Sequence, residues 1–184
     1  MRITGGSARG QIIKTLPGLT VRPTTDRVRE AIFSMLASLA EDWSNVLDLF
    51  AGTGALGIEA LSRGAGWADF VDQSNRSCAI VKQNLAKTGF TGQGRVYCCP
   101  VMKSLGILDN TYGIIFLDPP YADTTLGSVL AGLDKSSLIS ESTVLLASHS
   151  SRSPMEERIA GLRKIKEKRY GDTCISIYQK EVKP

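Results

Sequence analysis

The stretch Val46-Leu47-Asp48-Leu49-Phe50-Ala51-Gly52-Thr53-Gly54-Ala55-Leu56-Gly57 decides the fold. Its first half is a short apolar run of strand length. Its second half sets Gly52, Gly54 and Gly57 in a G-x-G-x-x-G spacing where a helical pattern begins. Such glycines let the chain turn tightly from strand to helix and let a ligand approach the backbone near a helix N-terminus. A second apolar run ends in Asp72, 20 residues beyond Gly52, where a carboxylate can accept hydrogen bonds from a ribose diol.

Outward from this core the chain alternates. Strand-like runs cover 46–50, 68–72, 95–99, 113–117 and 143–148, and helical patterns cover 55–63, 74–87 and 124–135. Strands alternating with helices require right-handed crossovers and a largely parallel sheet covered on both faces. The segments 163–170 and 174–180 flank Gly171-Asp172 and read as an antiparallel hairpin. Before the core, Val28, Ala31, Ile32, Met35, Leu36, Leu39 and Ala40 form the stripe of an amphipathic helix, which Thr24 or Thr25 can cap. Residues 1–23 alternate loosely between Gly and Pro and read as a hairpin extension without a core of its own, leaning on a main domain of 24–184. The fold class is therefore α/β: a doubly wound, mostly parallel sheet of seven strands with a small N-terminal β-hairpin extension.

A length of 184 residues with 42% apolar and 22% charged side chains suits one globular domain and excludes disorder and coiled coil. The apolar runs are too short to cross a bilayer, and the N-terminus has no apolar leader segment, so a cytoplasmic protein with no membrane partner is expected. Cys78, Cys98, Cys99 and Cys174 show no metal-type spacing and read as reduced thiols; no metal site is expected. The net charge of +4 is unevenly spread: Arg2, Arg9, Lys14, Arg22, Arg27 and Arg29 face a single acid, Asp26, within the first 29 residues. That arm either meets a polyanion or is simply a solvated terminus.

Gly52, Gly54 and Asp72 together point to a nucleoside-containing cofactor, and Asp48 narrows the choice. A pyrophosphate on the glycine turn would be repelled by that carboxylate, whereas an aminoacyl ammonium would be attracted to it. S-adenosylmethionine is favoured over a nicotinamide dinucleotide, unless Asp48 merely caps the turn. The run 113–117 ends in Asp118-Pro119-Pro120-Tyr121, at the sheet edge where open α/β folds bind ligands. An exocyclic amine is a poor nucleophile while its lone pair is conjugated with the ring. A carboxylate and a proline-held carbonyl accepting its two N–H bonds would turn that lone pair toward a methyl donor, with Tyr121 stacking on the base.

These motifs resemble the S-adenosylmethionine-dependent amino-methyltransferases. Arg2-Ile3-x-Gly5-Gly6-x-x-Arg9-Gly10 and Arg22-Pro23-Thr24-x-Asp26-Arg27-Val28-Arg29-Glu30-x-x-Phe33 narrow the resemblance to the RsmD family of bacterial ribosomal RNA methyltransferases, over almost the whole chain. The resemblance implies methylation of the N2 amine of one guanine in 16S, small-subunit, ribosomal RNA, by a monomer acting on an assembled or partly assembled 30S particle. It assigns Asp48, Phe50, Ala51, Gly52, Thr53, Gly54, Gly57, Asp72 and Gln73 to the cofactor and Asp118, Pro119, Pro120 and Tyr121 to catalysis. It sets the N-terminal hairpin and the arginine-rich helix start, with Arg2, Arg9, Arg22, Arg27 and Arg29, toward RNA or closed over the cofactor. Where relatives carry Asp or Asn after the third strand, this chain has Cys99-Pro100, so backbone groups of Val101 or Met102 are expected to hold the adenine.

Two other readings stay open on these residues: an N6-adenine DNA methyltransferase and a catalytically silent RNA-binding assembly factor. His149, the sole histidine, reads as a loop residue, and the basic run from Arg163 to Arg169 as protection of an edge strand.

Overall fold

The computed structural model describes residues 1–15, 25–120 and 122–181. Thr25 accepts the Val28 N–H through its hydroxyl and so caps helix α1 (Asp26–Leu39), whose first turn carries Asp26 at the positive end of the helix dipole. Of the predicted stripe Ile32, Met35 and Leu36 are buried, and Phe33 is buried beside them. Thr24 lies outside the described residues.

The alternation follows as β1 (Asn45–Leu49), α2 (Ala55–Ser62), β2 (Trp67–Asp72), α3 (Asn75–Thr88), β3 (Gly94–Cys98) and the one-turn α4 (Val101–Ser104). It continues as β4 (Tyr112–Leu117), α5 (Leu126–Asp134), β5 (Ile139–Ser150), β6 (Arg158–Ile159), β7 (Leu162–Tyr170) and β8 (Thr173–Lys180). These form one sheet in the order β3-β2-β1-β4-β5-β8-β7-β6. The first five strands in that order pair in parallel and the last three antiparallel.

Among the described residues the sheet has eight strands, not the expected seven. The addition is the two-residue β6, which pairs only with β7 and is too short to show a period-two pattern. His149 also departs from expectation. It lies in β5, which runs longer than the apolar stretch 143–148, and is buried rather than in a loop.

Alternate residues of the central strands feed two apolar layers. Val46, Phe70, Phe116 and Leu146 pack under α1, α2 and α3, while Leu47, Val71, Leu117 and Leu145 pack under α5 on the other face. The described N-terminal residues share the first layer through Ile3, Ala8 and Ile13. Arg2 and Ile12 form an isolated antiparallel bridge. The Thr4 N–H and hydroxyl both donate to Glu59, and the Ala8 N–H donates to the Ser62 hydroxyl. Gly6 has φ of +77°, and a Cβ there would sit 1.7 Å from the Ser62 carbonyl oxygen, so only glycine lets the segment lie so close to the end of α2. The cysteines Cys78, Cys98, Cys99 and Cys174 are free thiols.

Candidate active site

Strand order reverses between β1 and β4, and open α/β sheets bind ligands in the crevice beyond the carboxyl ends at such a point. The register pairs Leu49 with Leu117, so the glycine turn after β1 and the Asp118-Pro119-Pro120 segment after β4 leave the sheet side by side. Between them and the first turn of α3 lies a cavity of ≈ 550 Å³. Phe50, Gly52, Asp72, Gln73, Val101, Met102, Asp118 and Pro120 line it.

The turn is built by backbone geometry. Phe50, Gly52 and Gly54 all have positive φ, at 61°, 56° and 76°. A non-glycine residue in that region is held only where its surroundings insist, and strain of this kind gathers at functional sites. The Ala51 N–H donates to the Val71 carbonyl and the Gly54 N–H to the Ala51 carbonyl. Gly57 serves packing, since a Cβ there would come within 2.3 Å of the Phe70 ring and push α2 off the sheet. The Thr53 carbonyl accepts from the buried Asn84 side chain, which also exchanges two hydrogen bonds with the Lys14 backbone. The N-terminal segment is thereby tied to the glycine turn.

Three carboxylates converge here. Asp72 accepts the Gly52 N–H at 2.8 Å with one oxygen and the Ser74 N–H at 2.8 Å with the other. It thus joins the glycine turn to the start of α3 and keeps lone pairs for a diol. Asp48 is 1% exposed and accepts the Gly57 N–H at 2.9 Å. It braces the turn from beneath and is not among the residues lining the cavity. Burial pushes its carboxyl well above the usual range; the Gly57 donor opposes this, and the charges of Asp118 and Asp72 add to it. Asp48 therefore stands behind the cavity wall, able to bear on its contents by its field and not by contact.

A raised carboxyl contributes stability below its unfolded value, and that contribution is lost as pH rises through the folded value. At neutral pH the burial of this carboxyl therefore opposes folding. Asp48→Asn keeps an acceptor for Gly57, so its thermal midpoint is expected to exceed that of the unsubstituted chain by a few degrees at pH 7. The gap should close toward pH 4, while affinity for a cationic cofactor falls. A lower midpoint at pH 7 would contradict this account of Asp48.

Of the residues expected to face RNA, Arg2, Arg9 and Arg27 are exposed, and Arg2 pairs with Asp26 at 3.2 Å. Arg22 and Tyr121 lie outside the described residues. Arg29 is a correction. It is 0% exposed, donates to Asp26 at 2.8 Å and lies 3.7 Å from the buried Glu59, so it braces the helix instead of meeting a polyanion. Several lining residues were not foreseen: Ser74, Arg76, Ser77, Asp123 and Thr125. The first three follow Asp72 at the start of α3, a position the glycine turn predicts once β1 and β2 are known to be neighbours. Asp123 and Thr125 carry no sequence signal beyond nearness to Asp118.

The cavity suits an adenosyl amino acid. Around Gly52 a Cβ would meet only the Phe50 carbonyl, at 3.9 Å, so the turn is open to a ligand. A carboxylate for a ribose stands at the rim, and Asp48, Asp72 and Asp118 together favour a cation. Val101 and Met102 begin α4, where the first N–H groups of a helix have no carbonyl one turn earlier. With the reversed strand order, these features define a Rossmann-like, S-adenosylmethionine-dependent methyltransferase.

The family model described as conserved hypothetical protein 95 matches residues 1–179, and the chain belongs to that family, the RsmD family. Ribosomal RNA small subunit methyltransferase D of Escherichia coli is 32% identical over 181 residues, covering 98% of this chain and 90% of that protein. YlbH of Bacillus subtilis is 36% identical over 183 residues, covering 98% and 99%. The solved structure of yhhF from Escherichia coli superposes with a TM-score of 0.84 at 31% identity, over 100% of this chain and 99% of that one.

Proposed function

We propose that this protein transfers a methyl group from S-adenosylmethionine to the exocyclic N2 amine of a guanine in small-subunit ribosomal RNA. The observation that carries the reading is the adjacency of Gly52 and Asp118 across β1 and β4, around one cavity. The names of relatives such as the Escherichia coli enzyme support the choice of RNA. When bound, S-adenosylmethionine supplies an electrophilic methyl group on a sulfonium.

The rest is work for the chain's own groups. Asp72 and the first N–H groups of α4 hold the nucleoside end, and the turn 50–54 holds the aminoacyl end over the field of Asp48. The Asp118 carboxylate and the Pro119 carbonyl accept the two N–H bonds of the amine. Its lone pair is thereby drawn out of conjugation and aimed into the cavity. Asp118 then takes the proton that the amine sheds. The prolines fix φ in the segment that carries the acceptors, so they need little reorganisation during the reaction. Arg2, Arg9 and Arg27, with Lys14, give the exposed N-terminal segment a positive face for the phosphate backbone, within an assembled or partly assembled 30S particle and by a protein acting as a monomer in the cytoplasm.

The test is incubation with labelled S-adenosylmethionine and, separately, small subunits lacking the modification, naked ribosomal RNA, and DNA, followed by nucleoside digestion. Label in N2-methylguanosine from small subunits is the expected result. Label in DNA alone, or in no nucleic acid, would overturn the proposal.

A further inference from the structure

Ser148 is 2% exposed, and its hydroxyl has no hydrogen-bond partner among the described residues. Buried polar groups are nearly always paired, so an unpaired one asks for a reason. Its neighbour His149 has none to spare. Ring Nδ1 faces the carbonyls of Ser150 and Ser153, and Nε2 faces the Ser176 hydroxyl at 2.8 Å.

The parallel register of β4 and β5 pairs Leu117 with Ala147, so Asp118 and Ser148 follow as neighbours at the carboxyl ends of their strands. Phe116 and Leu146 both belong to the layer under α1, α2 and α3. Continuing the period of two one residue past the end of β4 puts Asp118 on the same face as Ser148, about 5 Å away along the hydrogen-bonding direction. Ser148 also borders a second cavity of ≈ 550 Å³, whose walls are Pro119, Pro120 and Asp123 on one side and Leu126 and Ile159 of the α5 layer on the other. Pro120 and Asp123 line both cavities, so the proline segment is the wall between them. In the proposed reaction a base held by Asp118 would therefore lie over the ends of β4 and β5, beside Ser148.

We infer that Ser148 is a specificity-determining residue of the acceptor site, its hydroxyl meeting a ring nitrogen next to the exocyclic amine held by Asp118. This rests on the reading of the substrate as guanine. The amine at C2 is flanked by N1–H, a donor, and N3, an acceptor, and a hydroxyl can serve either. Left unpaired in the free protein, the hydroxyl opposes folding and is satisfied only when the base is present. That arrangement makes an unusual forecast: removing the group should help the fold and harm the reaction.

The experiment compares Ser148→Ala with the unsubstituted chain in three measurements: thermal midpoint, S-adenosylmethionine affinity by calorimetry, and kcat/KM for methylation of small subunits lacking the modification. The expected result is an equal or higher midpoint, unchanged cofactor affinity and a roughly tenfold fall in kcat/KM, the size of one lost hydrogen bond. Equal kcat/KM would overturn the role of Ser148 alone, leaving the proposed reaction intact. A lower midpoint with cofactor affinity and kcat/KM falling together would make Ser148 a structural residue and also overturn it. Absence of RNA label from the unsubstituted chain would overturn both this inference and the reading beneath it.

Discussion

Asp118→Ala is expected to lower kcat for RNA methylation by about 100- to 1,000-fold, the range found when one preorganised group at a reacting centre is removed. Affinity for S-adenosylmethionine should change only a few-fold. The asymmetry follows from where Asp118 stands. It lies at the rim of the cavity, just past the end of the strand beside the glycine turn, while Gly52, Asp72 and the start of α4 form other parts of the wall. Its loss removes the acceptor that orients the amine but leaves those other groups in place. What remains for the cofactor is a smaller negative field, because Asp118 is one of two charges acting on buried Asp48. Asp118→Asn should fall between the two, since it keeps an oxygen acceptor but loses the charge. Single-turnover methylation and cofactor titration on the same preparations provide the check. Turnover equal to the unsubstituted chain would remove Asp118 from the mechanism, and a parallel collapse of cofactor affinity would make it a cofactor ligand instead.

Glu59→Ala should be the most damaging substitution for stability, at about 3–5 kcal/mol, the loss seen when one member of a buried ion pair is removed. Glu59 in α2 is 0% exposed and serves three partners from three parts of the chain. It accepts the Thr4 N–H at 2.9 Å and hydroxyl at 2.7 Å, accepts Arg63 Nε at 3.0 Å, and lies 3.7 Å from the buried guanidinium of Arg29. Truncation strands the Arg29 charge with a weaker counter-ion set and loosens the N-terminal segment from α2 at Thr4, leaving its ties to Ser62. A domain of this size is typically stable by only about 5–15 kcal/mol, so much of the margin would go. Denaturant unfolding measures the loss directly. A change under about 1 kcal/mol would show that the network is energetically neutral. Replacing both charged residues together with apolar ones, as in Arg29→Met with Glu59→Leu, should recover part of the loss, since no charge is then stranded.

How far these features could be read in advance differs from residue to residue. The central strands were legible because a parallel strand covered on both faces must be apolar throughout, and Val46-Leu47 and Ile114-Ile115-Phe116 are. The glycine turn was legible because Gly52 and Gly54 hold positive φ and Gly57 clears Phe70, demands that few other residues meet. The lining roles of Phe50, Gln73, Val101 and Met102 came from the family resemblance, and these residues do line the cavity. β6 was not legible, since two residues carry no period. His149 was misread for a related reason: the polar residues around it look like a loop, yet β8 alongside satisfies them with Ser176.

Spacing and residue type thus settled which segments become strands and helices, where the turn for a nucleoside falls, and which carboxylates flank it. Those are local matters, governed by backbone conformation and by which side of an element meets apolar neighbours. Which charge meets which partner was decided only when the chain closed on itself. Arg29, on the polar edge of a helix, reads as a surface cation until Glu59, 30 residues later, is brought beneath it. Asp48 reads as a ligand for an ammonium until the Gly57 N–H claims it, and Ser148 as an ordinary strand residue until β5 lays it beside Asp118. The energy of a buried polar group depends on atoms supplied by distant segments, and no local pattern in the chain encodes them.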